Sequence, residues 1–200
     1  MLAGFGNRLG YPRPAMHVRM TALALLCAGC SASTSTATPT ARQASPAAAA
    51  HTFKSTRFTI TVPRGWRDAT GDQHAVASVS ASGQVLMLLV AEATTLNEHI
   101  DVSVAAQPVP DDQLAGYLQS VAQSGATNLS QPRPFSVDGG TGIFITYNLM
   151  STGGTLLQDQ DMVVNHGGDT FDIVLNTAQA DFARQVADVQ SILSTWKWAS

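Results

Sequence analysis

The residues able to do chemistry are few and scattered. Beyond position 50 the histidines are His51, His74, His99 and His166. None forms a His-Glu-x-x-His, His-x-His or His-x-x-x-His pair, the spacings that bring two imidazoles onto one metal. Each reads as a solvated residue of a turn or of a strand's polar face, with a metal role for His99 or His166 as the alternative. Asp159 and Asp161 alternate on one face of an apolar segment, and Asp172 falls where a neighbouring strand runs. Three carboxylates on one face could bind calcium, which takes six to eight oxygens. The Asp-x-Asp-x-Asp-Gly loop is absent, however, and the favoured expectation is a solvated sheet face. There is no Gly-x-Ser-x-Gly elbow for acyl transfer. Gly139, Gly140 and Gly142 mimic a phosphate loop, but no lysine follows and the context is strand-turn-strand. The expectation is a protein without catalytic residues, cofactor or metal, and therefore not an enzyme.

The most specific motif lies near the start. Arg19 precedes an apolar run from Thr21 to Ala28, and small residues then lead to Cys30. A basic segment, a short apolar segment and a small-residue cleavage site define a secretory signal peptide. Ala28-Gly29-Cys30 resembles a bacterial lipobox, although Cys27 stands where leucine is usual and Leu26 lies one place earlier. The run is short of the roughly 20 apolar residues that span a bilayer. Residues 1–29 are therefore expected to be a lipoprotein signal peptide, with Cys30 the lipidated residue. An uncleaved anchor or an ordinary signal peptide is the alternative, and Met16 or Met20 could be the true start.

This reading changes the arithmetic of the chain. Of the two cysteines, Cys27 would leave with the signal peptide and Cys30 would carry lipid, so no disulfide is expected. The chain has 200 residues and a formal net charge of −3. Removing Arg8, Arg13 and Arg19 from the 11 basic residues leaves 8 against 14 acidic ones, a net of −6. Such a domain has no basic footprint for nucleic acid and gains nothing from anionic lipid, so acyl chains must hold it at the membrane. Lysine occurs only at 54 and 197, while arginine occurs nine times and alanine 29 times. That is the bias of a GC-rich, bacterial genome.

Residues 31–50 contain only Ser, Ala, Thr, Pro, Arg and Gln. They cannot anchor a core, and 30–50 reads as a disordered tether. Twenty such residues span about 25 Å as a coil and about 65 Å stretched. The remainder, 51–200, is long enough for one buried core.

Alternation and turn residues outline that domain. Phe58–Val62 alternates as a half-buried strand. Pro63-Arg64-Gly65-Trp66 reads as a type I turn with Pro63 second, and Trp66 as a core plug. Val76–Val79 reads as a short strand, and Val85–Ala91 as a strand covered on both faces. Ile100, Val102 and Val104 alternate with Asp101 and Ser103, a strand with one wet face. Asp111 and Asp112 suit the start of a helix with Leu114, Tyr117, Leu118 and Val121 on one stripe, ended by Gly125. Hairpins follow, turning at Asp138-Gly139, Gly153-Gly154 and Gly167-Gly168-Asp169. On the last strand Phe171, Ile173 and Leu175 face inward, with Asp172 and Asn176 outward. Thr177 suits the cap of a final helix carrying Phe182, Val186, Val189, Leu193 and Trp196. Arg184 there can meet Asp181 and Asp188. The sum is an α+β domain: an antiparallel sheet with two helices.

A strand ending in Val62-Pro63, then Gly65-Trp66, then strands, one helix, a meander and a long C-terminal helix resembles domains of the PsbP-like, Mog-like superfamily. With Cys30 and the tether, the chain resembles the Lpq-type mycobacterial and actinobacterial lipoproteins of that superfamily over residues 53–198. The resemblance implies an α/β/α sandwich around an antiparallel sheet. It also implies an extracytoplasmic scaffold or accessory, with no active site common to the family. Members elsewhere are photosystem subunits or bind a small GTPase, so the fold transfers and the function does not.

The expected function is a noncatalytic lipoprotein on the extracytoplasmic face of the cell membrane. Its partners are the membrane, through Cys30, and an envelope protein or lipid. Trp198 is the candidate partner contact, with packing of both Trp196 and Trp198 as the plainer view. The alternative is a carrier of an apolar envelope ligand, held near Val85–Ala91, Met87, Met150 and Met162, because methionine makes adaptable pockets.

Overall fold

The computed structural model describes residues 49–79, 81–92, 98–122 and 125–200. The expected signal peptide, Cys30 and the tether up to residue 48 lie outside them. The strands are β1 (His51–Lys54), β2 (Phe58–Val62), β3 (Trp66–Asp68), β4 (Gly83–Ala91) and β5 (His99–Ala105), then β6 (Arg133–Val137), β7 (Gly140–Met150), β8 (Leu156–His166), β9 (Asp169–Ala178) and β10 (Lys197–Trp198). The helices are α1 (Gln73–Val76), α2 (Leu114–Ala122), entered through a 3₁₀ turn at Asp111–Gln113, and α3 (Phe182–Thr195). Seven strands form one sheet in the order β3-β4-β5-β9-β8-β7-β6, and β1-β2-β10 form a second. Every pairing is antiparallel.

Hairpins make most of this order. At the β6–β7 turn Asp138 has φ 41° and Gly139 φ 81°, the two left-handed residues of a type I′ turn, whose twist matches that of the strands. The β5–β9 pairing is different. It joins residues about seventy positions apart, His99 against Asn176 through Val104 against Phe171. That crossover brings Asp101 beside the β8–β9 hairpin.

Helices lie on both faces of the large sheet. On one face α3 and the small sheet enclose the main core: Phe58, Ile60, Met87, Leu89, Ile100, Val102, Ile173, Leu175 and Trp196, all essentially inaccessible. Trp66 is fully buried, as expected of a plug, and its indole N–H donates to Asp188 at 2.9 Å. On the other face α2 packs Leu114, Leu118 and Ala122 on Ile145, Tyr147 and Val163. Near α1, Ala75 and Ala69 pack on Leu88 and Val90. The layers are those of an α/β/α sandwich around an antiparallel sheet. Alternation lets the continuous apolar run of β4 supply both faces, Met87 and Leu89 to the main core and Leu88 and Val90 to the cluster near α1, with a register shift between Val85 and Met87.

Several local expectations are corrected. Val76–Val79 is not a strand: Asp72 caps α1 by accepting from the amides of His74 and Ala75 at 3.0 and 3.1 Å. A cap four residues before Val76 outweighs the β propensity of two valines. The turn before Trp66 centres on Arg64 and Gly65, one residue later than expected, with Gly65 at φ 86°. Thr177 is buried within β9, and α3 starts after Asp181. Arg184 meets Asp181 at 2.8 Å, whereas the Asp188 carboxylate holds Trp66. The faces expected to be wet on β5, β8 and β9 are not wet: Asp101, Ser103, Asp159, Asp161 and Asp172 are all buried. Their polar face is roofed by α2, whose position a strand's alternation does not encode.

Candidate functional site

Strand register gathers the buried carboxylates. Across the face under α2, one row runs His99, Asn176, Asp159, Tyr147. The next runs Asp101, Val174, Asp161, Ile145, and the third Ser103, Asp172, Val163, Ile143. Side chains two apart on a strand share a face, so four aspartates from β5, β8 and β9 crowd the centre of the sheet. Asp159 and Asp161 were visible as a pair in the sequence and Asp172 as their neighbour. Asp101 was missed as a member because it arrives by the long crossover.

The roof is held in place by polar ties. The amide of Val109 donates to the Thr170 hydroxyl at 2.8 Å, and that hydroxyl donates to Asn165 Oδ1 at 2.6 Å. The Asn165 amide group donates to Val109 O at 2.8 Å and to Asp111 Oδ1 at 2.6 Å. These bonds pin the segment entering α2 to the β8–β9 hairpin. Between the end of α2 and the end of α1 the sheet is left with a cleft of about 420 Å³. Its acidic floor is Asp101, Asp159, Asp161 and Asp172, with His99 and Asn176 beside them and Ser78, Val79, Val121 and Leu149 on the rim and walls.

The electrostatics follow from burial. Desolvation pushes Asp159 up to about 6, against the His99 charge and the hydrogen bonds from Asn176 (2.7 Å) and Tyr147. Desolvation, then the facing charge of Asp172, raises Asp161 well above the carboxylate range. Asp172 is raised by desolvation too, although a hydrogen bond from Asp161 opposes it. Burial therefore favours a proton on this pair. Desolvation and Asp172 also raise the Tyr117 phenol to about 12, and its hydroxyl donates to Asp172 Oδ2 at 3.4 Å. Desolvation, then Asp161, raises the Tyr147 phenol further. Such a site can accept hydrogen bonds, hold a cation, or pass a proton near neutral pH.

Other candidates are placed elsewhere. Trp198 is half-buried, with its ring stacked on His166 at 4.2 Å and close to Phe171 and Trp196 at 4.8 and 5.1 Å. Its amide and the Lys197 ammonium both bind Asp138, at 2.9 and 2.6 Å. The Asp138 carboxyl is accordingly lowered, chiefly by the Lys197 hydrogen bond. His166 is occupied by that stack and His99 lies 3.5 Å from Asp101, whereas His51 and His74 belong to β1 and α1. Gly142 is explained by packing: a Cβ there would sit 2.2 Å from Val163 O and 2.5 Å from the Phe135 ring. Ser194 and Lys197 have the spacing of a Ser-x-x-Lys dyad, but Ser194 donates to Ser191 O at 2.7 Å and Lys197 pairs with Asp138. Met87 and Met162 are fully buried in the α3-side core and Met150 is 64% exposed, so none of them lines the cleft.

The fold itself is shared with known structures. CyanoP, the cyanobacterial PsbP of Synechocystis sp. PCC 6803, matches with TM-score 0.51 at 13% identity, over 75% of this chain and 92% of its own. LpqN of Mycobacterium tuberculosis, a protein involved in cell envelope biogenesis, matches with TM-score 0.51 at 12% identity, over 72% of this chain and 83% of its own. No family model and no curated protein sequence matches the chain. At these identities the likeness speaks for the fold alone, and the fold is that of PsbP: antiparallel strands in a sandwich with few helices.

Proposed function

We propose that this protein is a noncatalytic, lipid-anchored binding domain on the extracytoplasmic face of the cell membrane. The observation that carries the binding role is the cleft between α1 and α2, whose floor presents buried acceptors and, among the described lining residues, no lysine or arginine. The lipobox-like Ala28-Gly29-Cys30 supports the anchor, and the composition of residues 31–50 supports a tether that holds the domain near membrane partners. Among the described residues no helix is long and apolar enough to cross a membrane, which fits attachment through Cys30. The envelope role of LpqN, a protein of the same fold, adds to this reading. The alternative of an apolar-ligand carrier draws no support from the three methionines that motivated it.

The anchor is tested by Cys30→Ser in the native type of host, followed by membrane fractionation. The expected outcome is loss of the lipid-dependent membrane fraction, with unprocessed precursor or released protein instead. Unchanged partition into membranes would sink the anchor. The binding role is tested separately, by crosslinking in the envelope and recovery through a tag on the chain. Partners recovered from wild type and lost when the cleft is blocked by Val121→Trp support it.

A further inference from the structure

The cleft floor has a deficit of donors. Apart from the contact between Asp161 and Asp172, both carboxylate oxygens of Asp161, Oδ1 of Asp172 and Oδ2 of Asp101 are buried with no hydrogen-bond partner. Asp161 is 0% exposed, Asp172 2% and Asp101 3%. Buried ionised acceptors without donors are costly, and a proton held at the Asp161 and Asp172 pair satisfies only part of that demand. A donor-rich cation would meet the rest.

A metal ion fits poorly. Calcium needs its oxygens converging on one point at 2.3–2.6 Å. Here Asp101 and Asp161 face each other across β9, both opposite Val174, which puts their Cα atoms roughly 10 Å apart by strand spacing. Among the described residues no group of three or more His, Cys, Asp or Glu side chains could hold a metal ion. A cleft of about 420 Å³ is also large for one ion and within the range of small-molecule pockets. The walls carry Val79, Val121 and Leu149, and Val174 lies between Asp101 and Asp161 in the floor, so apolar surface lines a charged floor.

From this juxtaposition we propose that the cleft binds a small alkylammonium ligand, its ammonium on Asp161 and Asp172 and its alkyl chain against the valines and Leu149. An ammonium carries three donors and one positive charge on an apolar stem, which matches the deficit in sign and depth. This deepens the binding-domain reading and rests on the cleft being its binding site.

The test is isothermal titration of the full chain in detergent with 1,5-diaminopentane, with α-N-acetyl-lysine amide and with calcium chloride. One-to-one binding of an amine is expected, weakened about thirtyfold or more by Asp161→Asn and abolished by Val121→Trp at the rim. Asp181→Asn, an exposed acid far along the fold on α3's edge, leaves it unchanged. Tighter binding of diaminopentane assigns free amines as the source, and tighter binding of the acetyl-lysine amide assigns a lysine side chain. Circular dichroism identical to wild type separates a lost site from a lost fold. No heat with either amine at millimolar concentration overturns the proposal, as does amine binding indifferent to both cleft variants. Calcium binding that Asp161→Asn removes also overturns it, while leaving the cleft as a binding site.

Discussion

The two faces of the seven-stranded sheet are built from the same strands and solve opposite problems. On the α3 face, β5, β8 and β9 present Ile100, Val102, Met162, Val164, Ile173 and Leu175, which close into a dry core. On the α2 face the alternate residues of the same strands include Asp101, Asp159, Asp161 and Asp172, which are just as buried. One face contributes stability through removal of apolar surface from water. The other spends part of that stability on desolvated carboxylates. Strained, costly groups of this kind concentrate where a protein binds or reacts, so the less stable face is the one to interrogate for function.

The strongest way to break the contrast is to put an acid on the wrong face. Ile173→Asp leaves an unpaired carboxylate in the α3-side core and forfeits the packing of a buried isoleucine. The expected loss is about 4 kcal/mol or more, read from urea unfolding at neutral pH. A loss below about 1 kcal/mol would show that the two faces tolerate charge alike.

A pH series sharpens it next. Asp159, Asp161 and Asp172 hold their protons more tightly folded than unfolded. From the unfolded value near 3.9 up to the folded value, the native chain carries the extra protons, so stability falls as pH rises. For Asp159 that window runs from about pH 4 to about 6, and Asp161 extends it upward. The domain is therefore expected to unfold at lower urea at pH 7.5 than at pH 5, with Asp159 alone contributing roughly 1–1.5 kcal/mol over that interval. The lowered Asp138 works in the opposite sense, below that window. Asp161→Leu should flatten the slope and raise stability at pH 7.5 by roughly 1–3 kcal/mol. A wild-type domain that gains stability from pH 5 to 7.5 would contradict the buried acids.

The smallest effect belongs to an acid that the solvent reaches. Arg184→Ala breaks the ion pair with Asp181, whose partners are 61% and 40% exposed. Its expected cost is under about 0.5 kcal/mol, measured in the same urea assay. A cost matching the buried-acid variants would erase the distinction between exposed and buried carboxylates.

Much of the architecture was legible along the chain. The Val85–Ala91 run, the Asp138-Gly139 turn, the Trp66 plug and the apolar stripe of α3 all follow from local periodicity and turn chemistry. Phe182, Val186 and Leu193 of that stripe are partly buried against the core, and Val189 and Trp196 lie within it. Less legible were β1 and β10, too short to alternate, and α1, whose signal was the Asp72 cap rather than a pattern. The site was half legible: Asp159, Asp161 and Asp172 stood out as a set, but as a solvated one.

Sequence alone settles which residues share a face of a strand, because side chains alternate with period two whatever surrounds them. It also carries the lipobox-like Cys30 motif and the tether composition, on which the proposed address rests. Tertiary structure decided what each face meets. The β5–β9 crossover delivered Asp101 to the group, and α2, pinned through Thr170 and Asn165, turned a polar face into a buried floor. Burial is a property of what packs against a residue, and those partners come from 55 to 77 positions away, where no local pattern reaches.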